Sequence, residues 1–419
     1  MPTIERLTAL EILDSRGRPT VQATCLLAGG ARGTVSVPSG ASTGAAEAAE
    51  LRDRDPARYG GLGCRAAVAN VAGPMHEALA GRSWPDQAAL DGAMRELDGT
   101  ADKSRLGAKA ILPVSLAFAR ACAAERGVPL YRQFADILEP GRTIAALPRP
   151  TVNLFSGGKH AGGQMPIQDI LITSTARTVD ESLATTYAVY QAAAARCRRI
   201  YGMRSLVADE GGLAPDFPSV EAALGDAVAA IREAGFEPGD VALCVDAAAS
   251  HFHEEGRYDL GGQPLTSAGM IATLSGWLDR FPIVSVEDGL AEDDWEHWPA
   301  LHATLAGRAL TLGDDLLSTN PARIRRAVAA DAADALLLKV NQIGTLTEAA
   351  EACRLARDAG WMVTVSARSG ETEDDWLADL AVGWGGDQLK VGSITRSERL
   401  AKWNRLLVVE ARTGMPMRT

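Results

Sequence analysis

Lysine is scarce in this chain. Six lysines stand beside 36 arginines in 419 residues, and glycine is plentiful at 42. That skew suggests a GC-rich coding bias, under which a lysine that persists is one needed as lysine. Apolar runs are also short. None approaches the roughly 20 residues that cross a bilayer as a helix, so no membrane association is expected. The six cysteines, at 25, 64, 122, 197, 244 and 353, include no close pair. Reduced, buried thiols in a cytoplasmic protein are expected, rather than disulfides or zinc. Positive charge is in deficit: the net charge is −11 and the pI about 5.2. Nucleic acid is therefore not an expected partner. A small anionic substrate is still admitted, because a bound metal reverses the local field. The opening residues alternate polar and apolar and carry Glu5, Arg6 and Glu11, so no signal peptide is expected. Finally, no Gly-rich nucleotide loop follows a first strand, which counts against a doubly wound open sheet.

With 47% hydrophobic residues over this length, two domains are expected. Residues 1–140 read as an α+β capping domain, with strands at 7–13, 19–27 and 33–37 and a helix at 108–126. The proline-containing stretch 145–150 leads into the second domain, 141–419. There, short apolar runs alternate with helical stretches, and each run ends in a polar or small residue. The run ends are Asp246, Glu287, Asp314, Lys339, Ala367–Arg368 and Lys390. One strand plus one helix per step is the rhythm of a parallel βα barrel in the α/β class.

Active sites of such barrels collect at the C-terminal strand ends. Asp246, Glu287 and Asp314 occupy three successive ends. A single acid there would more simply cap the following helix. Three in a row, with no His or Cys, point to an oxygen-liganded Mg²⁺. Lys339 and Lys390 face the same opening. A lysine beside a divalent ion loses its preference for the charged form and can act as a general base, while a second holds a carboxylate. Glu210, before a Gly-Gly pair, reads as a general acid. Residues 39–44 (S-G-A-S-T-G) suit a lid over phosphate or metal, and the glycine-rich 157–163 loop carries His160.

These segments also resemble a known family. L-D-S-R-G-R-P-T-V at 13–21, S-G-A-S-T-G at 39–44, D-E-G-G-L-A-P at 209–215 and S-V-E-D-G-L-A-E-D-D-W at 285–295 are similar to enolase segments. So are L-L-L-K-V-N-Q-I-G at 336–344, R-S-G-E-T-E-D at 368–374 and R-S-E-R-L-A-K at 396–402. They stand in the enolase order along nearly the whole chain. The resemblance implies an enolase-type barrel with an N-terminal cap. It implies a structural Mg²⁺ on Asp246, Glu287 and Asp314, and a second ion that arrives with substrate and takes Ser39 as ligand. Lys339 would remove the proton next to the carboxylate, and Glu210 would protonate the departing hydroxide. Lys390 would bind carboxylate, Arg368 and Ser369 the phosphoryl group, and Gln168 and His160 would touch substrate. Enolases dehydrate 2-phosphoglycerate to phosphoenolpyruvate and are usually homodimers or larger.

Two positions depart from the family pattern. Where it reads S-H-R-S-G-E-T, this chain has Ser366-Ala367-Arg368-Ser369. Where it has Gln-Glu, Gln168 is followed by Asp169. That residue pairs with the general acid, and Asp is one methylene shorter, so weaker coupling to Glu210 is expected. Ala367 is expected to open space beside the phosphoryl pocket. The departures suggest a specialised paralogue, such as the carboxyphosphonoenolpyruvate synthases of phosphonate natural-product pathways, acting on a phosphorylated or phosphonylated substrate. Ordinary dehydration of 2-phosphoglycerate is the alternative. A binding protein without activity would have no reason to keep the metal and lysine set together.

Overall fold

A computed structural model describes residues 1–40, 44–202 and 206–418. The first part is a three-stranded antiparallel sheet of β1 (Ile4–Leu13), β2 (Pro19–Leu27) and β3 (Arg32–Ser36), in that order. Buried Val21, Ala23, Cys25 and Leu27 alternate along β2 with partly exposed neighbours, the period-two pattern of a sheet with one packed face. The helix Ala108–Arg126 covers that face. Gly33 permits its close approach: a Cβ there would stand 2.1 Å from the Ala117 carbonyl oxygen.

The remainder is a closed eight-stranded barrel. Its strands are β4 (Arg149–Ser156), β5 (Asp169–Ser174) and β6 (Val241–Asp246), then, after the small hairpin of β7 (His253–Glu254) and β8 (Arg257–Tyr258), β9 (Ile283–Glu287), β10 (Leu310–Gly313), β11 (Ala335–Leu338), β12 (Met362–Ser366) and β13 (Gln388–Lys390). One feature differs from the all-parallel expectation. β5 runs antiparallel to both β4 and β6. A parallel return needs a crossover of a dozen or more residues, usually a full helix. The link from β4 to β5 holds only the short helix Gly158–Ala161, so the chain turns back beside itself. The two long helices Val179–Tyr201 and Val220–Glu233 come later, before β6.

The two parts meet along the barrel mouth. Ser39 and Gly370 form a two-way backbone bridge, at 2.8 and 2.9 Å. Trp376 Nε1 donates to the Ser36 carbonyl at 3.1 Å. All six cysteines are buried and free. Among the described residues no helix is long and apolar enough to cross a membrane.

Candidate active site

β6, β9 and β10 are neighbours in the barrel, and their ends carry Asp246, Glu287 and Asp314. Lys390, the last residue of β13, reaches across the mouth. Its Nζ donates to Glu287 Oε2 at 2.6 Å and to Asp246 Oδ2 at 2.9 Å. Lys339, just after β11, donates to Asp314 Oδ2, and Gln342 Nε2 donates to Asp314 Oδ1 at 2.8 Å. Neither lysine snorkels to the surface; both ammonium groups are enclosed.

The electrostatics are lopsided. Burial, and then Asp246, push the Glu287 carboxyl well above its ordinary range, and Lys390 only partly offsets this. Burial opposes the charge of Lys339, but the neighbouring carboxylates, Asp314 first and then Glu287, together hold the ammonium above the usual lysine value. Three carboxylates thus face two ammoniums, and Glu287 Oε1 is buried with no donor. An all-oxygen set with surplus negative charge and an unsatisfied acceptor fits a hard divalent cation. One carboxylate oxygen from each of Asp288, Asp314 and Asp315 also converges, the three lying within 4.8 Å of one another. Asp288 accepts from the backbone of Asp314 at 3.0 Å and of Asp315 at 2.7 Å. It therefore fixes the turn that aims Asp314. Asp288 stands in the S-V-E-D-G segment one place beyond the strand end, so the strand-end pattern points to Glu287 and not to it.

On the β5 side, the structure replaces the expected carboxylate pair with a three-part chain. His160 is not exposed on a loop but buried in the short helix before β5. Its Nδ1 lies 2.8 Å from Asp169 Oδ2, and its Nε2 makes a 3.6 Å ion-pair contact with Glu210 Oε1. Ser156 Oγ donates to Asp169 Oδ1 at 2.6 Å, and Asn153 Nδ2 to Glu210 Oε2 at 3.0 Å. Burial works against the imidazolium, but Glu210 and Asp169 overcome it and lift His160 to about 9. Burial likewise works against the Glu210 carboxylate, yet His160, Arg399, Lys390 and Lys339 bring it down to about 2. At neutral pH the proton of this chain rests on the imidazole. Gln168 Nε2 donates to Asp246 Oδ2 at 3.1 Å, which ties this side to the acids at the barrel mouth.

Arg368 and Ser369 follow β12. Buried Arg399, in the helix Ser397–Thr413, donates to the Arg368 carbonyl at 2.6 Å and to the Ser369 carbonyl, so the R-S-E-R-L-A-K segment holds the backbone of this wall. Arg16 Nη1 donates to Ser369 Oγ at 2.9 Å. The Arg368 guanidinium meets Glu47, a residue that belongs to none of the sequence motifs. Of the 39–44 loop, 41–43 lie outside the described residues.

Within this ring lies an enclosed cavity of about 20 Å³. His160, Gln168, Glu210, Asp246, Lys339 and Lys390 line one side, and residues 366–369, Ala367 among them, line the other. Glu287, Asp314 and Ser39 do not border it. Ala367 thus stands on the cavity wall, as expected, but the cavity beside it is small rather than enlarged. A far larger cavity, about 1030 Å³, lies outside the 158–166 segment against Lys159 and His251, and its lining includes none of the residues expected to do chemistry.

Two family models match the chain. Residues 4–134 match the enolase N-terminal domain, and residues 144–417 match the enolase C-terminal TIM barrel domain. These matches span nearly the whole sequence and agree with the closed barrel, the acidic strand ends and the two buried lysines: the chain belongs to the enolase family.

Proposed function

We propose that this protein is a Mg²⁺-dependent lyase, or a transferase derived from one, that forms a phosphorus-bearing enolpyruvate from a 2-phosphoglycerate-like substrate. The observation that carries a specialised reading is Ala367. It sits on the cavity wall beside Arg368 and Ser369, at the position where the family motif has histidine. An alanine there offers no donor to a phosphoryl oxygen and leaves a bulkier phosphorus group, such as carboxyphosphono, the fewest obstacles once the walls part. The second reading is ordinary dehydration of 2-phosphoglycerate to phosphoenolpyruvate, and the retained set of Asp246, Glu287, Asp314, Lys339 and Lys390 supports it.

Asp246, Glu287 and Asp314 would hold the ion. A bound Mg²⁺ would supply fixed positive charge to stabilise the developing enolate and would lower the proton affinity of Lys339. Lys390 binds the carboxylate, and Arg368 and Ser369 take the phosphoryl oxygens. Lys339 accepts the C2 proton; the C2–H electron pair becomes the second bond between C2 and C3. The C3 hydroxide leaves with a proton that starts on the His160 imidazolium and passes through the Glu210 carboxylate, while Asp169 orients the imidazole. Gln168 holds Asp246 in register. The enclosed site excludes water, which strengthens each of these interactions. A homodimer or larger assembly in the cytoplasm is the setting expected for such an enzyme.

The test is turnover of 2-phosphoglycerate with Mg²⁺, followed by ultraviolet absorbance of the enol product, with and without phosphonoformate. Lys339→Ala is the control and should lose roughly 10²- to 10⁴-fold. Fast turnover of 2-phosphoglycerate alone would establish the ordinary reaction and refute the specialised one. Product only when the phosphonate is added would establish the reverse. A folded, metal-bound protein with neither activity would refute both.

A further inference from the structure

The family resemblance assigns Ser39 to a second ion, and Ser39 is not built for one here. Its hydroxyl accepts from Lys109 Nζ and from Arg52 Nη2, the latter at 3.3 Å. Its carbonyl accepts from Gly370 N at 2.9 Å and from Arg16 Nη2 at 3.0 Å. Its amide donates to the Gly370 carbonyl at 2.8 Å. Every polar atom of Ser39 is therefore engaged, and both oxygens that could ligate a metal already face cations.

Lys109 is one of the six lysines in an arginine-rich chain. It projects from the helix Ala108–Arg126 and is buried. Its Nζ also lies 3.3 Å from Thr20 Oγ1, 3.3 Å from the Pro38 carbonyl and 3.4 Å from Glu50 Oε2. Glu50 is shared with Arg52 at 3.0 Å, so at the hydroxyl one carboxylate offsets two cations. Arg16 is offset by Asp14. A dication bound to Ser39 would meet uncompensated positive charge at close range, where burial screens little.

Resting on the Mg²⁺-dependent reading above, we propose that this protein works with a single divalent ion, held by Asp246, Glu287 and Asp314, and that the Lys109 ammonium on Ser39 occupies the role of the second. Lys109 acts as a positioning residue: it fixes Ser39, and through the Ser39–Gly370 bridge the wall carrying Ser369.

The experiment counts ions. Mn²⁺ binding to the full chain is measured by electron paramagnetic resonance of free Mn²⁺, first alone and then with 2-phosphoglycerate and phosphonoformate added together. One ion per chain under both conditions is expected, without the spin coupling of a Mn²⁺ pair. Two ions per chain in the presence of substrates would overturn the proposal while leaving the metal-dependent reading intact. No bound ion at all would overturn both. Lys109→Gln, checked for folding by circular dichroism, should gain a second, substrate-dependent ion. A folded variant still limited to one ion would refute the assignment to Lys109. Should that variant not fold, the wild-type count decides the matter alone.

Discussion

Arg368 and Glu47 face each other as a bidentate ion pair across the junction of the two parts, with Nη1 at 2.8 Å from Oε2 and Nη2 at 3.2 Å from Oε1. Both side chains are buried. A phosphoryl group arriving at Arg368 must compete with this carboxylate. Glu47→Gln weakens the competitor while keeping its shape. A hydrogen bond to a charged group contributes about 1.5–3 kcal/mol, so inorganic phosphate should bind the variant roughly 10- to 100-fold more tightly by calorimetry. Unchanged phosphate affinity would remove Arg368 from the anion site.

The His160 imidazole, lifted to about 9 from an ordinary 6.5, sets a pH window. A group whose folded value is raised stabilises the fold fully below its unfolded value, and that contribution disappears as pH rises through the folded value. The denaturant midpoint of the wild type should therefore exceed that of His160→Gln most at pH 6 and least near pH 10. Asp169→Asn should lower the imidazole titration, seen in its nitrogen NMR shifts. A gap between wild type and His160→Gln that does not change with pH would contradict this picture.

Glu287 carries the opposite liability. Its folded value is raised, so without metal its ionised form costs stability as pH climbs above the ordinary 4.5. Metal-free Glu287→Gln should thus melt above the metal-free wild type at neutral pH. Adding Mg²⁺ reverses the order. At about 100 times its dissociation constant an ion stabilises the fold that binds it by roughly 2.7 kcal/mol, and the variant should lose most of this. Equal Mg²⁺ responses in calorimetric melts would place the ion elsewhere.

Ala367→His tests the phosphoryl wall. The closed cavity of about 20 Å³ cannot take an imidazole without moving Arg368 or Ser369, and overpacking costs typically 1–3 kcal/mol. A lowered melting temperature is expected, together with a shift in preference toward 2-phosphoglycerate and away from the phosphonate mixture. A variant whose preference is the same as the wild type's would take the specialised role away from this position.

The strand ends were legible in the sequence because each barrel strand is a short apolar run that stops at a polar residue. Asp246, Glu287, Lys339 and Lys390 could be placed on one rim by that rule alone, and the helix 108–126 by its apolar pattern. The reversed strand β5 was harder to see, since the clue is the brevity of a link rather than any residue in it. The positions of His160 between Asp169 and Glu210, Glu47 on Arg368 and Lys109 on Ser39 carried no local signal. Those last two pairs join residues 321 and 70 positions apart. The sequence by itself determined which groups reach the barrel mouth, because period and punctuation are local properties of the chain. Which charges then neutralise one another was decided only by the tertiary structure, because that depends on distance through space and on burial, and both arise when the barrel closes against its cap.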